Sequence, residues 1–339
     1  MVRFEENYSL KKYNTFRIDA KTRYFFEYTE PKDLPDFLIN FSNGKQMPHF
    51  VLGGGSNLLL VCDYDGIVIH PKVLGIKVVQ EDENHVYLEV GAGEEWDDVV
   101  AFAVDHDWSG IENLSLIPGS AGAAAVQNIG AYGMEVSQVL YQVKGFDLQL
   151  LEERELPAAD CAYAYRDSIF KHNLKEKFVI HTITLRLSKS HHFNVDYGSL
   201  KDEVSAIGEL NLENIRRAII KVRQSKLPDS KHIGSAGSFF MNPIVAAAQA
   251  EELLKIYPDM PTYSADGGKV KLAAGWLIEQ CGWKGFRKGG AGVYEHQALV
   301  LVNHGEATGT EIADLAREIQ QSVFQKFNVG ILPEVYYLK

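Results

Sequence analysis

The sequence predicts an α+β fold made of more than one domain. Two patterns carry this. The first 110 residues are short apolar runs broken by turn residues, and the residues after about Leu200 repeat their apolar positions at helical spacing. The length, 339 residues, also exceeds what one simple core needs.

The strand-like runs come first. Phe50-Val51-Leu52 leads into Gly53-Gly54-Gly55, Leu58-Leu59-Leu60-Val61 follows, and then Gly66-Ile67-Val68-Ile69. Val86-Tyr87-Leu88-Glu89-Val90 stops at Gly91. An amphipathic helix from about Glu95 to His106 interrupts them, with Trp96, Val99, Val100 and Ala103 on one face. Val143 to Leu151 and Phe178 to Leu187 read as strands again. In the second, Thr182, Thr184 and Arg186 alternate with Ile183, Leu185 and Leu187.

The second half is richer in helix. Asn211 to Ser225 places Ile215, Ala218, Ile219 and Val222 on one stripe, and Pro228 stops it. Asn242-Pro243 predicts a helix start, with Asn as cap and Pro in the first turn, running to about Ile256. Leu272 to Cys281 is expected to be helical, with Gly282 just past its end. The last helix is expected from about Glu311 to Phe327, and a final strand from Val335 to Leu338. The turn-prone Lys226-Leu227-Pro228-Asp229 sets a domain boundary near Ser225 to Ser230.

Composition narrows the function. At 46% hydrophobic residues, a sizeable core is available. The net charge of −11 repels nucleic-acid backbones and anionic membranes, so neither is an expected partner. One anionic small molecule stays possible if a cationic pocket receives it. Cys62, Cys161 and Cys281 lie far apart with no C-x-x-C spacing, which argues against a zinc site or a disulfide framework. Met1 to Lys12 is polar, and no apolar stretch approaches the ~18 residues of a membrane span. The expectation is a cytoplasmic monomer with no metal.

Two loops carry ligand-binding character. In Gly53-Gly54-Gly55-Ser56-Asn57, glycines let backbone N–H groups approach an anion, and Ser56 and Asn57 add donors. Leu58 stands where a third Rossmann glycine would be, and no G-K-[ST] follows, so neither nucleotide fingerprint applies. A tight hairpin turn explains this loop equally well. The second loop, Pro118-Gly119-Ser120-Ala121-Gly122 through Gly133, is dense in small residues. Such density means close approach to a ligand, or a small-residue helix packed in a core. Gln127, Asn128 and Tyr132 favour the ligand.

These two loops resemble the paired FAD-binding loops of the vanillyl-alcohol-oxidase (PCMH) type of flavin fold. Within it the sequence is similar to the UDP-N-acetylenolpyruvoylglucosamine reductases. Further segments extend the resemblance along nearly the whole chain: Tyr13-Asn14-Thr15-Phe16, Gln127-Asn128-Ile129-Gly130-Ala131-Tyr132-Gly133, Tyr165-Arg166-Asp167-Ser168, Gly237-Ser238-Phe239-Phe240, Ala273-Ala274-Gly275-Trp276-Leu277-Ile278 and Pro333-Glu334-Val335. The resemblance implies an FAD subdomain over residues 1–66, joined by the strand at 330–339. It implies a second FAD subdomain over 67–225 and an α+β substrate domain over 226–329.

The resemblance also implies the chemistry. NADPH reduces FAD, and hydride then passes to the enolpyruvyl double bond of UDP-N-acetylglucosamine enolpyruvate, giving UDP-N-acetylmuramate for peptidoglycan. Ser238 is implied as proton donor, with Arg166 and Glu334 completing the catalytic set. FAD is implied at Gly53, Gly54, Gly55, Ser56, Asn57, Pro118, Gly119, Ser120, Gly122, Gln127, Asn128, Gly130, Tyr132 and Gly133. The first of these loops has no His or Cys, so a noncovalent cofactor is expected. Substrate contacts are implied at Asn242, Tyr263 and Gln297, and at Tyr197, which matches the family branch whose tyrosine loop folds over substrate. Arg223 and Lys226, beside Pro228, are the candidate cations for the diphosphate. Read as residues alone, Ser238 is a turn or capping serine, Arg166 a surface ion-pair partner and Glu334 an exposed carboxylate. A sugar or alcohol oxidase on the same scaffold, or a flavin-binding sensor without turnover, are the alternatives.

Overall fold

In the computed structural model, residues 1–42, 47–229 and 232–339 are described; Ser230, at the far end of the expected boundary, lies outside them. The chain divides into two compact units. The first holds Met1–Tyr8, Thr22–Gly54 and Asp65–Arg223; the second holds Ser9–Lys21, Gly55–Tyr64 and Gln224–Lys339.

The first unit is built on two sheets. One orders its strands Val2–Ser9, Lys21–Tyr28, Tyr64–Pro71 and His49–Val51. The other is antiparallel, in the order Glu152–Pro157, Leu140–Asp147, Phe178–Ser188, His85–Gly91, Ile76–Glu81. Its centre follows the alternation read from sequence only in part, because Thr184 is buried, at 2% exposed, and Thr182 is half-buried. Ile183, Leu185 and Leu187 are fully buried, while Arg186 between them is exposed. Leu185 sits opposite Leu88 and Ile183 opposite Val90, so one face is a continuous apolar layer.

Among the described residues, five α-helices accompany these sheets: α1 (Asp33–Ser42), α2 (Trp96–Asp105), α3 (Ala121–Gln127), α4 (Leu200–Ile207) and α5 (Leu212–Lys226), the last continuing three residues beyond the unit's end at Arg223. Helix α2 buries Trp96, Val99, Val100 and Ala103, the predicted stripe. Helix α3 is the small-residue segment, and Ala121, Gly122, Ala124 and Ala125 are buried in the main core. The packed-helix alternative therefore holds for these four residues. A Cβ on Gly122 would come within 2.8 Å of the Ala92 side chain, so close packing demands glycine there. Ile215, Ala218 and Ile219 of α5 are fully buried with Leu200 and Val204 of α4 in a small separate core, onto which Tyr132 packs.

The second unit carries α6 (Ala247–Ile256), α7 (Ala274–Gln280) and α8 (Gly309–Phe327). One sheet orders Gly234–Ser238, Val300–Asn303, Ala291–Val293, Arg287–Lys288; another orders Ile244–Ala246, Lys269–Leu272, Thr262–Ala265. The strand Leu58–Leu60 pairs in parallel with the final strand Tyr336–Leu338. The first glycine loop is thus no hairpin: it leaves a strand paired to Tyr64–Pro71 and enters one paired to the C-terminus. Helix α8 starts at a capping box, Thr308 and Glu311 each accepting the other's backbone N–H.

Two sequence expectations need correction. Asn242-Pro243 does not open the helix ending at Ile256; the strand Ile244–Ala246 intervenes and α6 begins at Ala247. Asn242 is nevertheless a cap, for another helix: its Oδ1 accepts the N–H of Ala274, the first residue of α7, at 2.9 Å. The helix expected from Leu272 begins only at Ala274, because Lys269–Leu272 is a strand. Gly282 follows it with φ 81°, as a residue just past a helix end should.

Candidate active site

In the first unit, the two glycine loops meet backbone to backbone. A Cβ on Gly53 would lie 2.8 Å from Ser120 Oγ, and one on Gly54 2.8 Å from Gly119 Cα. Among the described residues, the N–H groups of Gly53 and Gly54 have no hydrogen-bond partner. They are donors of the kind an anion satisfies. Ser120 is buried and precedes α3, while Pro118 is exposed. Helix α3 itself offers fewer donors, since the N–H groups of Ala121 and Gly122 go to Glu94 O and Ala92 O. At its other end Gln127 Oε1 is buried with no partner among the described residues, an acceptor without a donor.

Arg166 lies beside this helix end in left-handed conformation, φ 55°. Asn128 (φ 43°) and Tyr132 (φ 49°) share that region, so backbone strain gathers here, while Gly133 (φ 79°) adopts it at no steric cost. The Arg166 guanidinium donates to Gly130 O at 2.5 Å and more weakly to Asn128 O at 3.4 Å. The amide of Asn128 is fully engaged, donating to Glu135 and Ala164 O and accepting from Ser137 N–H. Asn128 thus builds the frame that holds Arg166. Asn113, which the sequence reading missed, does the same for Tyr132: it donates to Tyr132 O at 2.9 Å and to Asn194 O at 2.7 Å.

Arg223 approaches the same residues from α5. Its Nε is buried without a partner among the described residues. Burial lowers its guanidinium from the ordinary arginine value; Tyr132 and Asp97 oppose this, and the charge of Arg166 adds to it. Burial raises the Tyr132 phenol, against the pull of Arg223. Tyr197, 47% exposed, packs edge-on to Tyr132 with ring centroids 6.1 Å apart. Two arginines and two tyrosines of the expected site are therefore neighbours.

The second unit brings Ser238 and Glu334 together. Gly237 has φ 69° and sits in a bulge between Ser235 and Ser238, where the strand is paired to Val300–Asn303. Phe239 and Phe240 are buried and anchor the segment, while Ser238 stays exposed. Glu334 N–H donates to Phe239 O at 2.8 Å, and Phe240 bridges Pro333. Gly55 (φ 65°) cannot carry a Cβ, which would fall 1.9 Å from Tyr13 O. Ser56 follows it, and Asn57 Nδ2 donates to Glu334 O at 3.2 Å. Gln297 accepts its neighbour Leu299 N–H, Tyr263 is 41% exposed on the strand Thr262–Ala265, and Lys226 is exposed at the end of α5. Lys284 and Lys288 are paired to Glu279 and Glu318.

Other features lie apart from these residues. A groove of about 690 Å³ on the five-stranded sheet, lined by Lys32, Lys77, Glu89, Lys144, Glu153 and His181 among others, includes none of them. Cys161 is buried and its thiol is pushed up to about 11 by burial, which disfavours the nucleophilic thiolate. Among the described residues no cluster is arranged to hold a metal, and no helix is long and apolar enough to cross a membrane.

Residues 228–338 match the family described as UDP-N-acetylenolpyruvoylglucosamine reductase, C-terminal domain, and residues 25–148 match an FAD binding domain. The UDP-N-acetylenolpyruvoylglucosamine reductase of Bacteroides fragilis is 44% identical over 334 residues, covering 98% of this chain and 100% of that one. That of Porphyromonas gingivalis is 46% identical over 335 residues, 98% of each. The solved reductase of Thermus caldophilus superposes with TM-score 0.69 at 20% identity, over 100% of this chain and 99% of that one, a likeness of fold. The expected α+β flavin fold is thus borne out, and the chain belongs to the UDP-N-acetylenolpyruvoylglucosamine reductase family.

Proposed function

We propose that the chain reduces UDP-N-acetylglucosamine enolpyruvate to UDP-N-acetylmuramate, with NADPH as reductant and noncovalent FAD as hydride carrier. One observation carries this over an oxidase on the same scaffold. Ser238 is exposed at a bulge beside Glu334, within the segment matched by the reductase-specific C-terminal domain.

The residues fit the cofactor. The partnerless N–H groups of Gly53 and Gly54 suit diphosphate oxygens, and the orphaned Gln127 Oε1 suits a ring N–H or a ribityl hydroxyl. Gly119 and Ser120 line the same approach, and Gly130 lies against the Arg166 guanidinium. FAD held there would supply two-electron hydride chemistry between NADPH and the enolpyruvyl double bond.

This chain's own residues do the rest. Arg166, fixed by carbonyls of Gly130 and Asn128, holds the substrate carboxylate and the enolate that forms as hydride arrives. Ser238 Oγ gives its proton to the adjacent carbon, and Glu334 acts with Arg166 on the enolate or tunes the serine as an acid. Arg223 and Lys226 receive the diphosphate, Asn242, Tyr263 and Gln297 contact the nucleotide sugar, and Tyr197 covers it.

Incubation with NADPH and the enolpyruvyl nucleotide tests the reading. The product should have gained two hydrogens and carry a lactyl methyl group in its proton spectrum. Consumption of NADPH only in proportion to oxygen, with the nucleotide unchanged, would point to an oxidase.

A further inference from the structure

We propose that Asp97 and Arg216 are a positioning pair that holds Arg223 at the substrate anion. The inference rests on the reading of Arg223 as a substrate cation.

The geometry lies wholly within the first unit. Asp97 stands in the first turn of α2, where an acidic residue needs no partner beyond the helix end. Here it accepts three hydrogen bonds. Arg216 grips it with both arms of its fork, Nη1 to Oδ1 at 2.6 Å and Nη2 to Oδ2 at 3.0 Å. The pair is mostly buried, with side chains 16% and 29% exposed, so the solvent screening that weakens surface pairs is reduced. The third hydrogen bond comes from Leu116 N–H. Leu116 has φ 58° and lies two residues before Pro118-Gly119-Ser120. The neighbouring Trp96 N–H fastens Gly119 O at 2.8 Å. The start of α2 therefore fixes the second glycine loop and α5 together.

Arg216 and Arg223 are seven residues apart on α5, two turns along nearly the same face. The rotation that lets Arg216 reach Asp97 thus also aims Arg223 toward Tyr132 and Arg166. The field of Asp97 reaches Arg223 as well and opposes the effect of burial on its charge. Burial also works against ionisation of Asp97, but the Arg216 and Leu116 hydrogen bonds outweigh it, and its carboxyl sits below the ordinary value. The Asp97 carboxylate is held in its charged form, and the pair serves as a fixed joint. Asp97 touches no reacting atom; it acts through Arg216 and Arg223.

Steady-state and half-reaction kinetics on the FAD-loaded protein test this. Asp97→Asn and Arg216→Gln should each raise KM for the enolpyruvyl nucleotide about tenfold, with flavin reduction by NADPH unchanged. The double variant should be no worse than either single one. In an Arg223→Ala background, Asp97→Asn should add less than about twofold. An Asp97→Asn penalty in that background as large as in the wild type would overturn the proposal. So would an unchanged KM in Arg216→Lys, which keeps the charge, loses the fork and spares Leu116; this variant decides the matter if Asp97→Asn fails to fold. If Arg223→Ala alone leaves KM unchanged, the reading of Arg223 fails, and the positioning role with it.

Discussion

The side-chain amide of Asn57 donates to the backbone carbonyl of Glu334 at 3.2 Å, and Tyr336 N–H returns to Asn57 O at 3.0 Å. A residue of the first glycine loop therefore holds the C-terminal segment that carries a proposed catalytic carboxylate. Asn57→Ala should cost about 1 kcal/mol of stability, the net value of one hydrogen bond. It should slow reduction of the enolpyruvyl nucleotide several-fold while FAD is retained. Stopped-flow half-reactions and flavin content check this. Loss of FAD with an unchanged second half-reaction would make Asn57 a cofactor ligand only.

Ser238→Ala removes the proposed acid without disturbing the buried Phe239 and Phe240 beside it. Flavin reduction by NADPH should be unaffected, and the second half-reaction should slow by ~10²-fold or more. Equal losses in both halves would remove Ser238 from its role.

Lys226 is exposed at the end of α5. Lys226→Ala should weaken nucleotide binding about tenfold and leave the flavin spectrum as it was. Titration of the flavin absorbance with substrate measures it. Unchanged affinity would take the diphosphate away from this lysine.

Asn242 caps α7 from a distance in sequence. Asn242→Ala should lower stability by about 1 kcal/mol, and Asn242→Asp, which keeps the acceptor, should restore most of it. Urea unfolding of the three proteins reads this directly. Equal stability of all three would show that the contact does not stabilise α7.

His181 links protonation to stability. It is 1% exposed, and its Nε2 shares a hydrogen bond with Tyr28 at 2.9 Å. Glu153 Oε1 is 3.1 Å from Nδ1 yet out of line for a hydrogen bond. Burial, helped by Lys144, pushes its pKa down to about 4 from 6.5. The folded value is below the unfolded one, so the stabilisation is complete above pH 6.5 and is lost as pH falls toward 4. The loss should be roughly 3 kcal/mol over that window. His181→Gln should flatten this part of the stability profile. An identical acid slope in the variant would assign the loss to other groups.

Much of this was legible in the sequence because it depends on local pattern. The alternation at Ile183, Leu185 and Leu187, the stripe of α2 and the stripe of α5 each report a period that burial later uses. The Gly282 helix end was equally readable. Asn242-Pro243 misled because the cap signal is real but its helix begins 32 residues on, at Ala274. The frame around Arg166 was hidden for the same reason. Asn113 and Asn128 act on segments distant in sequence, and nothing in their own neighbourhoods announces it. The Asp97–Arg216 pair spans 119 residues, so Asp97 reads locally as an ordinary acidic first-turn residue.

In the proposed function a noncovalent flavin relays hydride from NADPH to an enolpyruvyl nucleotide sugar. Two anaerobic additions to the purified, FAD-loaded protein test it most directly. NADPH should bleach the flavin absorbance, and the enolpyruvyl nucleotide should then restore it within a turnover while the nucleotide is reduced. A flavin that NADPH bleaches and only oxygen restores would contradict the account.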